Sequence, residues 1–272
     1  MNQDHVDAVY DIEPVWSGHV VGFSLLTHPP HQYAAYYDAD RRMTIARRSL
    51  DSAHWLHAKL PSTLGWDSHN AVTMALDSAG YLHVAGNMHA APMIYFRMKR
   101  PGDITSFHQV EHMADAALEQ RVTYPQFLRG ANDELLFRYR DGGSGCGNDH
   151  CNRYNVSIQS WEPLNQGPLL DGGGKMNGYF SAPERGPDGR FHMVGVWRDS
   201  PDAATNHDPS YACSDDLQHW EKADGTPLPL PMTVHGIDIV ERIRPGEGLI
   251  NGNCRLGFDQ LHRPIVTYTN PH

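Results

Sequence analysis

Residues 71–86 read AVTMAL (Ala71–Leu76), DSAG (Asp77–Gly80) and YLHVAG (Tyr81–Gly86). Two short apolar runs flank four residues of turn chemistry, which is the pattern of a β-hairpin. The same order recurs in PQFLRGANDELLFRYR, in YFSAPERGPDGRFHMVGVWR and in CRLGFDQLHRPIVTYT, with a weaker early copy in VVGFSLLTHPPHQYAAYY. The second strands are expected to begin near Gln32, Tyr81, Glu134, Arg190 and Arg263, at offsets of 49, 53, 56 and 73 residues. A late aromatic marks some of the repeats, in His54–Trp55, Ser160–Trp161 and His219–Trp220.

A long-period echo of strand pairs, with loop insertions, fits an all-β β-propeller whose blades span roughly 40–50 residues. A β-sandwich would place strands every 8–12 residues or so without that echo. Five units are visible and the fifth is incomplete. Residues 1–272 are read as one propeller domain. Met113–Arg121 (MADAALEQR) is the single stretch that reads as a short helix, and a loop serves equally there.

With 40% hydrophobic and 20% charged residues the chain has the composition of a globular protein. Its formal charge of −10 lacks the basic footprint that nucleic acid needs, and no run of 18 apolar residues is present to cross a membrane as a helix. The opening MNQDHVDAVYD is acidic and does not read as a signal peptide, and the chain stops at IVTYTNPH directly after a strand. The chain is therefore expected to be a fragment, incomplete at its C-terminus and open to question at its N-terminus. Cys146 and Cys151 flank the loop CGNDHC, where a local disulfide, a metal site and free thiols all remain open; a CxxC pair is absent.

The 18 His raise the weight of acid–base and metal chemistry. His69, in WDSHN, precedes the first strand of the second unit, and His89, in GNMH, closes its second strand. A hairpin returns to where it began, so both belong at one end of it. There they can act as base, as acid, as metal ligands, or as hydrogen-bonded packing residues; an unperturbed pKa of about 6.5 suits proton transfer near neutrality. Asp67, Asn70 and Asn87 flank them and can orient the rings or contact a ligand. In the third unit Tyr124 (TYP) is expected just ahead of a strand and Arg140 at the end of its return strand, in positions parallel to the two His. Strand alternation points Arg138 and Arg140 the same way. In the fourth unit Arg198 ends the return strand, and His207 is expected on the loop that follows.

These residue types suit one reaction. A sugar carrying a carboxylate on C5 loses its C5 proton only if the charge growing on that carboxylate is stabilised. A guanidinium does this bidentately. A His or Tyr takes the proton and another protonates the departing C4 oxygen, with no cofactor required. The alternative of hydrolysis asks for two placed carboxylates, and no such pair is evident. GxSxG, P-loop and HExxH motifs are absent.

The motifs WDSHN, GNMH followed by APMIYFR, TYPQF, LFRYRDGGSG, VGVWRDSPDAATNHDPSYACSDDLQHW and GLINGN together resemble the BNR-repeat propellers that include the L-rhamnose-α-1,4-D-glucuronate lyases. The resemblance runs from about Val21 to His272. Ulvan lyases are more distant relatives of that group, and some similar propellers are described as α-L-rhamnosidases. The resemblance implies a seven-bladed propeller, with His69, His89, Tyr124 and Arg140 as catalytic residues and Arg198 a weaker match. It implies an acidic oligo- or polysaccharide as substrate, and a periplasmic or secreted setting. It also implies a calcium ion in the central channel of some members. Cys146 stands where the group's GSGNG pattern has Asn. A non-catalytic sugar-binding propeller and a structural scaffold remain the competing expectations, since a fold alone does not define an activity.

Overall fold

The computed structural model describes residues 6–269. Residues 1–5 and 270–272, which hold the start of the acidic opening stretch and the end of IVTYTNPH, lie outside it. Among the described residues, 22 strands form five sheets, and the chain divides into two compact units.

The first unit runs to His89 and includes Ile94–Glu111. It holds two four-stranded sheets. One is β1 (Ser24–His28), β2 (His31–Tyr37), β3 (Arg42–Ser49) and β4 (Leu56–Thr63), in that order. The other is β5 (Val72–Leu76), β6 (Leu82–Gly86), β8 (Tyr95–Met98) and β9 (Phe107–Val110). Between β6 and β8 lies β7 (His89–Ala91), which joins the third sheet. Alternate residues of β2, β3, β5, β6 and β8 form the core, among them Tyr33, Ile45, Met74, Val84 and Phe96.

The second unit takes in Ala90–Met93 and everything from His112 onward. Its first sheet contains β10 (Val122–Arg129), β11 (Leu135–Asp141), β12 (Asn148–Asn155) and β13 (Ser160–Pro163). The next contains β14 (Asn177–Phe180), β15 (Glu184–Arg185), β16 (Phe191–Arg198), β17 (Asn206–Ser214), β18 (Trp220–Glu221), β19 (Pro227–Leu228) and β20 (Asp238–Ile239). The last is the two-stranded hairpin of β21 (Arg255–Phe258) and β22 (Pro264–Thr267). The strands β6, β16 and β17 are buried on both faces along almost their whole length, as expected of strands covered on both sides.

The repeat seen in the sequence is a repeat of turn chemistry. At Asp77 the backbone N–H donates to the carbonyl of Tyr81 and the Gly80 N–H returns to Asp77, with Gly80 at φ +83°. The same pair of bonds, with a positive φ at the fourth residue, closes the turns starting at Gly130, Gly186 and Asp259. This is a type I turn followed by a left-handed residue, which suits the strand twist of a hairpin. Asp77 Oδ1 also accepts the N–H of Ala79 and of Tyr81, each at 2.9 Å, and Asp259 Oδ1 accepts those of Leu261 and Arg263 at 2.8 and 2.9 Å. Asp38, between β2 and β3, does the same for Asp40 and Arg42. The return strands begin within one residue of every expected position: 31, 82, 135, 191 and 264.

Two expectations are corrected and one alternative is resolved. Met113–Arg121 takes the loop alternative, as a chain of turns. The buried carboxylate of Glu119 draws in the N–H groups of Met113, Ala114 and Asp115 at 2.7, 2.8 and 3.2 Å and closes the loop on itself. Tyr124 lies inside β10 rather than ahead of it. His207 is not on a loop: it is the second residue of β17, opposite Trp197. All four cysteines are free, so Cys146 and Cys151 are not bonded to each other.

Candidate active site

In the first unit, β5 and β6 pair with Val72 opposite Gly86, so the segments before β5 and after β6 emerge at the same end. His69 and His89 meet there with ring centroids 4.1 Å apart and planes inclined by 22°. Asp67 binds both. Its Oδ1 lies 2.6 Å from His69 Nδ1 and its Oδ2 lies 2.5 Å from His89 Nδ1. Oδ1 also accepts the His69 backbone N–H at 2.9 Å. Burial alone would raise the Asp67 pKa, but the His69 amide and the two imidazoles outweigh it and hold the carboxyl at about 2. A carboxylate charged at all working pH values accepts a proton from each Nδ1, which leaves Nε2 of each neutral ring as the basic atom.

The neighbours serve as scaffold. Asn87 takes φ +62° and its Nδ2 donates to Ser62 Oγ at 2.8 Å and to the Thr63 carbonyl at 3.0 Å. The Asn70 carbonyl accepts the Tyr37 hydroxyl at 2.6 Å, while Asn70 Oδ1 is buried without a partner among the described residues.

In the second unit, β10 and β11 pair with Thr123 opposite Arg140 and Gln126 opposite Arg138, with a bulge between. Tyr124 sits in that bulge at φ +57°. A left-handed residue other than Gly costs about 1–3 kcal/mol, and a following proline disfavours it further. Such strain concentrates where a bulge re-aims a side chain. Here it puts the Tyr124 ring beside Arg140, whose guanidinium carbon lies 5.0 Å from the ring centroid of Tyr124 and 5.8 Å from that of Tyr179.

Arg140 is 2% exposed. Its Nη2 donates to Thr123 Oγ1 at 3.2 Å and its Nη1 to the Tyr179 hydroxyl at 3.4 Å, and Nε is buried without a partner among the described residues. No carboxylate among the described residues pairs with it. Burial, the largest influence, raises the Tyr124 pKa; Tyr179 adds to the rise, and Arg140 and Arg198 only partly offset it. Tyr124 is therefore a protonated phenol at neutral pH.

These side chains line a pocket of about 280 Å³ in the second unit, with Tyr179, Asn251 and Arg255 on its wall. Arg138 lines it too, but its guanidinium is engaged with Asp149, with the Ser181 carbonyl at 2.6 Å and with that of Phe180 at 3.3 Å. Breaking such a buried pair costs about 3–5 kcal/mol. Arg198 lies 5.2 Å from the Tyr179 ring and donates to the same hydroxyl at 3.4 Å, while its Nε is held by the Ser200 carbonyl at 3.0 Å. His207 is bracketed by Asp199 and Asp208, at 3.1 and 3.4 Å.

Tyr179 is a pocket residue that the sequence reading missed. A signal existed: Tyr124 and Tyr179 each fall in the first strand of a hairpin whose second strand carries Arg at or next to its end, so Tyr179 with Arg198 echoes Tyr124 with Arg140. Asp67 was expected to orient the rings; that one carboxylate bridges both depends on a closeness of two His that spacing alone does not give.

The fold and this pocket define the chain as an all-β protein of the β-propeller class. A profile of BNR repeat-containing family members matches residues 31–271, and the chain belongs to that family. The chain is similar to the crystal structure of the polysaccharide lyase Uly1, with a TM-score of 0.75 and 16% identity over 99% of this chain and 74% of that one. It is also similar to a PL25 ulvan lyase bound to -[GlcA(1-4)Rha3S]-, with a TM-score of 0.70 and 15% identity over 94% of this chain and 67% of the other. At this identity the likeness establishes the fold. No curated protein matches.

Proposed function

We propose that this chain is a polysaccharide lyase that cleaves a rhamnose-α-1,4-glucuronate linkage by β-elimination. The observation that carries the reading is Arg140: a buried guanidinium with no carboxylate partner, lying over two tyrosine rings in a pocket. An uncompensated buried cation is costly, and a bound anion of the right shape relieves that cost. A uronate carboxylate is such an anion, and the tyrosine faces suit the apolar face of a sugar ring. The two solved lyases of similar fold, one holding a glucuronate–rhamnose ligand, support the substrate class.

In the proposed reaction Arg140 binds the carboxylate and stabilises the charge that grows on it. A base removes the C5 proton, the electron pair forms the C4–C5 double bond, and the C4–O bond breaks. Rhamnose leaves with the C4 oxygen, which must gain a proton. Tyr124, protonated at neutral pH, is assigned as the acid. His69 and His89, their Nδ1 atoms on Asp67, are assigned to base catalysis through Nε2. Arg198, His207, Asn70, Asn87 and Arg138 are proposed to bind substrate only through the frame they provide. Hydrolysis is less favoured because Asp149, the carboxylate lining the pocket, is held by Arg138.

The test is to incubate the chain with rhamnose-capped gum arabic and with ulvan, following ultraviolet absorbance of the unsaturated uronate and free rhamnose together. Both should rise in parallel on the capped substrate. Free rhamnose without absorbance means hydrolysis, and binding without either product means a binding module; each result overturns the proposal.

A further inference from the structure

The cluster of Asp67, His69 and His89 has a second chemistry besides proton transfer. One carboxylate oxygen and two imidazole nitrogens from these side chains lie within 4.8 Å of one another. We propose that they form a binding site for a divalent first-row transition ion, with Zn²⁺ or Co²⁺ as the fitting class, and that its occupancy switches the lyase off. The inhibitory half rests on the lyase reading; the binding half does not.

Two imidazoles and a carboxylate are the donor set that such ions prefer, whereas Ca²⁺ and Mg²⁺ prefer all-oxygen shells. Ligands about 2.0–2.1 Å from a tetrahedral ion stand about 3.3 Å from one another. The two nitrogen–carboxylate separations, 2.6 and 2.5 Å, fall below that spacing, and side-chain shifts of about 1 Å would seat the ion. The frame for such a site is in place. Asp67 is held by the His69 amide, and Asn87 ties the turn before His89 to Ser62 and Thr63. The three side chains are 31–41% exposed, so an ion can enter and keep a water or substrate oxygen at an open position.

The consequence for catalysis follows from the tautomers. In the metal-free site Asp67 holds a proton on each Nδ1. A metal bound through Nδ1 takes that lone pair, and the ring proton moves through solvent to Nε2. Neither Nε2 can then accept the C5 proton. Binding and loss of activity therefore share one cause, with no change in the pocket of the second unit.

The experiment titrates the intact chain with Co²⁺, reading its visible absorption, and with Zn²⁺ by calorimetry. Ethoxycarbonylation of His by diethylpyrocarbonate is followed in parallel on the unaltered chain. The expected result is one ion per chain, slower modification of two His when Zn²⁺ is present, and no response to Ca²⁺. His69→Gln and His89→Gln, both at exposed positions, should each weaken binding by at least about tenfold. His219→Gln, at an exposed His whose ring meets Asp216 at 2.7 Å outside this cluster, should not. Zn²⁺ should abolish product absorbance and a chelator restore it. Absence of a Co²⁺ spectrum, or binding that survives both His variants, overturns the site. Binding that leaves an active lyase unimpaired overturns the inhibitory half alone. If the chain binds metal yet never forms an unsaturated product, the lyase reading fails and the site stands.

Discussion

Arg140 lies over the ring of Tyr124, 5.0 Å from guanidinium carbon to ring centroid, and its positive charge is met by hydroxyls rather than by a carboxylate. Such a residue serves binding at the expense of folding. Arg140→Met should therefore lower product formation by about 10²–10³-fold. It should leave the melting temperature unchanged or raised, because an unpaired buried charge has been removed. Parallel thermal melts and rate measurements check both halves; a large loss of stability would mean that the charge is compensated in the fold.

Tyr124 should matter to the chemical step more than to affinity. Tyr124→Phe keeps the ring and removes the acid, so the turnover number falls while the Michaelis constant moves little. Burial raises the Tyr124 pKa, and a general acid works while protonated. The alkaline limb of the wild-type rate profile should thus begin above the ordinary phenol value of about 10.

Asp67→Asn should uncouple the two imidazoles and forfeit part of the roughly 10²–10⁴-fold that a positioned base supplies. Its effect on stability has a definite sign. The folded-state pKa of Asp67, about 2, lies below the unfolded value, so its contribution is present above that unfolded value and fades as pH falls through the folded one. The gap in melting temperature between wild type and variant should close on acidification from neutral pH toward 2. Solvent around this partly exposed group limits the gap to under about 1 kcal/mol.

Gly147 lies against Arg140. A Cβ there would stand 2.8 Å from Arg140 Cδ, 2.9 Å from Cγ and 3.0 Å from the Asp141 carbonyl oxygen. Gly147→Ala should displace the guanidinium while keeping its charge, and activity should drop without any change in the number of cations. An unchanged rate would show that the site tolerates a moved Arg140.

The thiols should separate cleanly. Cys146 is exposed, whereas Cys151, Cys213 and Cys254 are buried, and burial pushes the Cys151 thiol up to about 12. Ellman's reagent should find one thiol quickly in the folded chain and the other three only after unfolding.

The hairpins were legible because their turns obey local chemistry: Asp or Gly at the first position, a left-handed residue at the fourth. The outer strands were less so. β13 and β18 announce themselves only through Trp161 and Trp220, and β7, β15 and β20 are two or three residues long, too short for any periodicity. The candidate residues followed from strand ends, where side chains leave the sheet. Their partners did not. The Tyr124 bulge, the placement of Tyr179 against Arg140, and one carboxylate shared by two imidazoles are tertiary facts without a period in the chain. Over Met113–Arg121, where helix and loop were equally open, the loop is held by one buried carboxylate, Glu119, that no propensity scale registers.

The aspartates that close the hairpins share one more property. Asp38, Asp77 and Asp188 have lowered pKa values although burial opposes it, because amide and side-chain hydrogen bonds prevail; Asp259 is lowered chiefly by the Arg263 amide. Four of the five hairpin turns thus carry a carboxylate that acid weakens. Each of these carboxylates holds its turn while ionised, so the turns should loosen as pH falls below the ordinary carboxylate range.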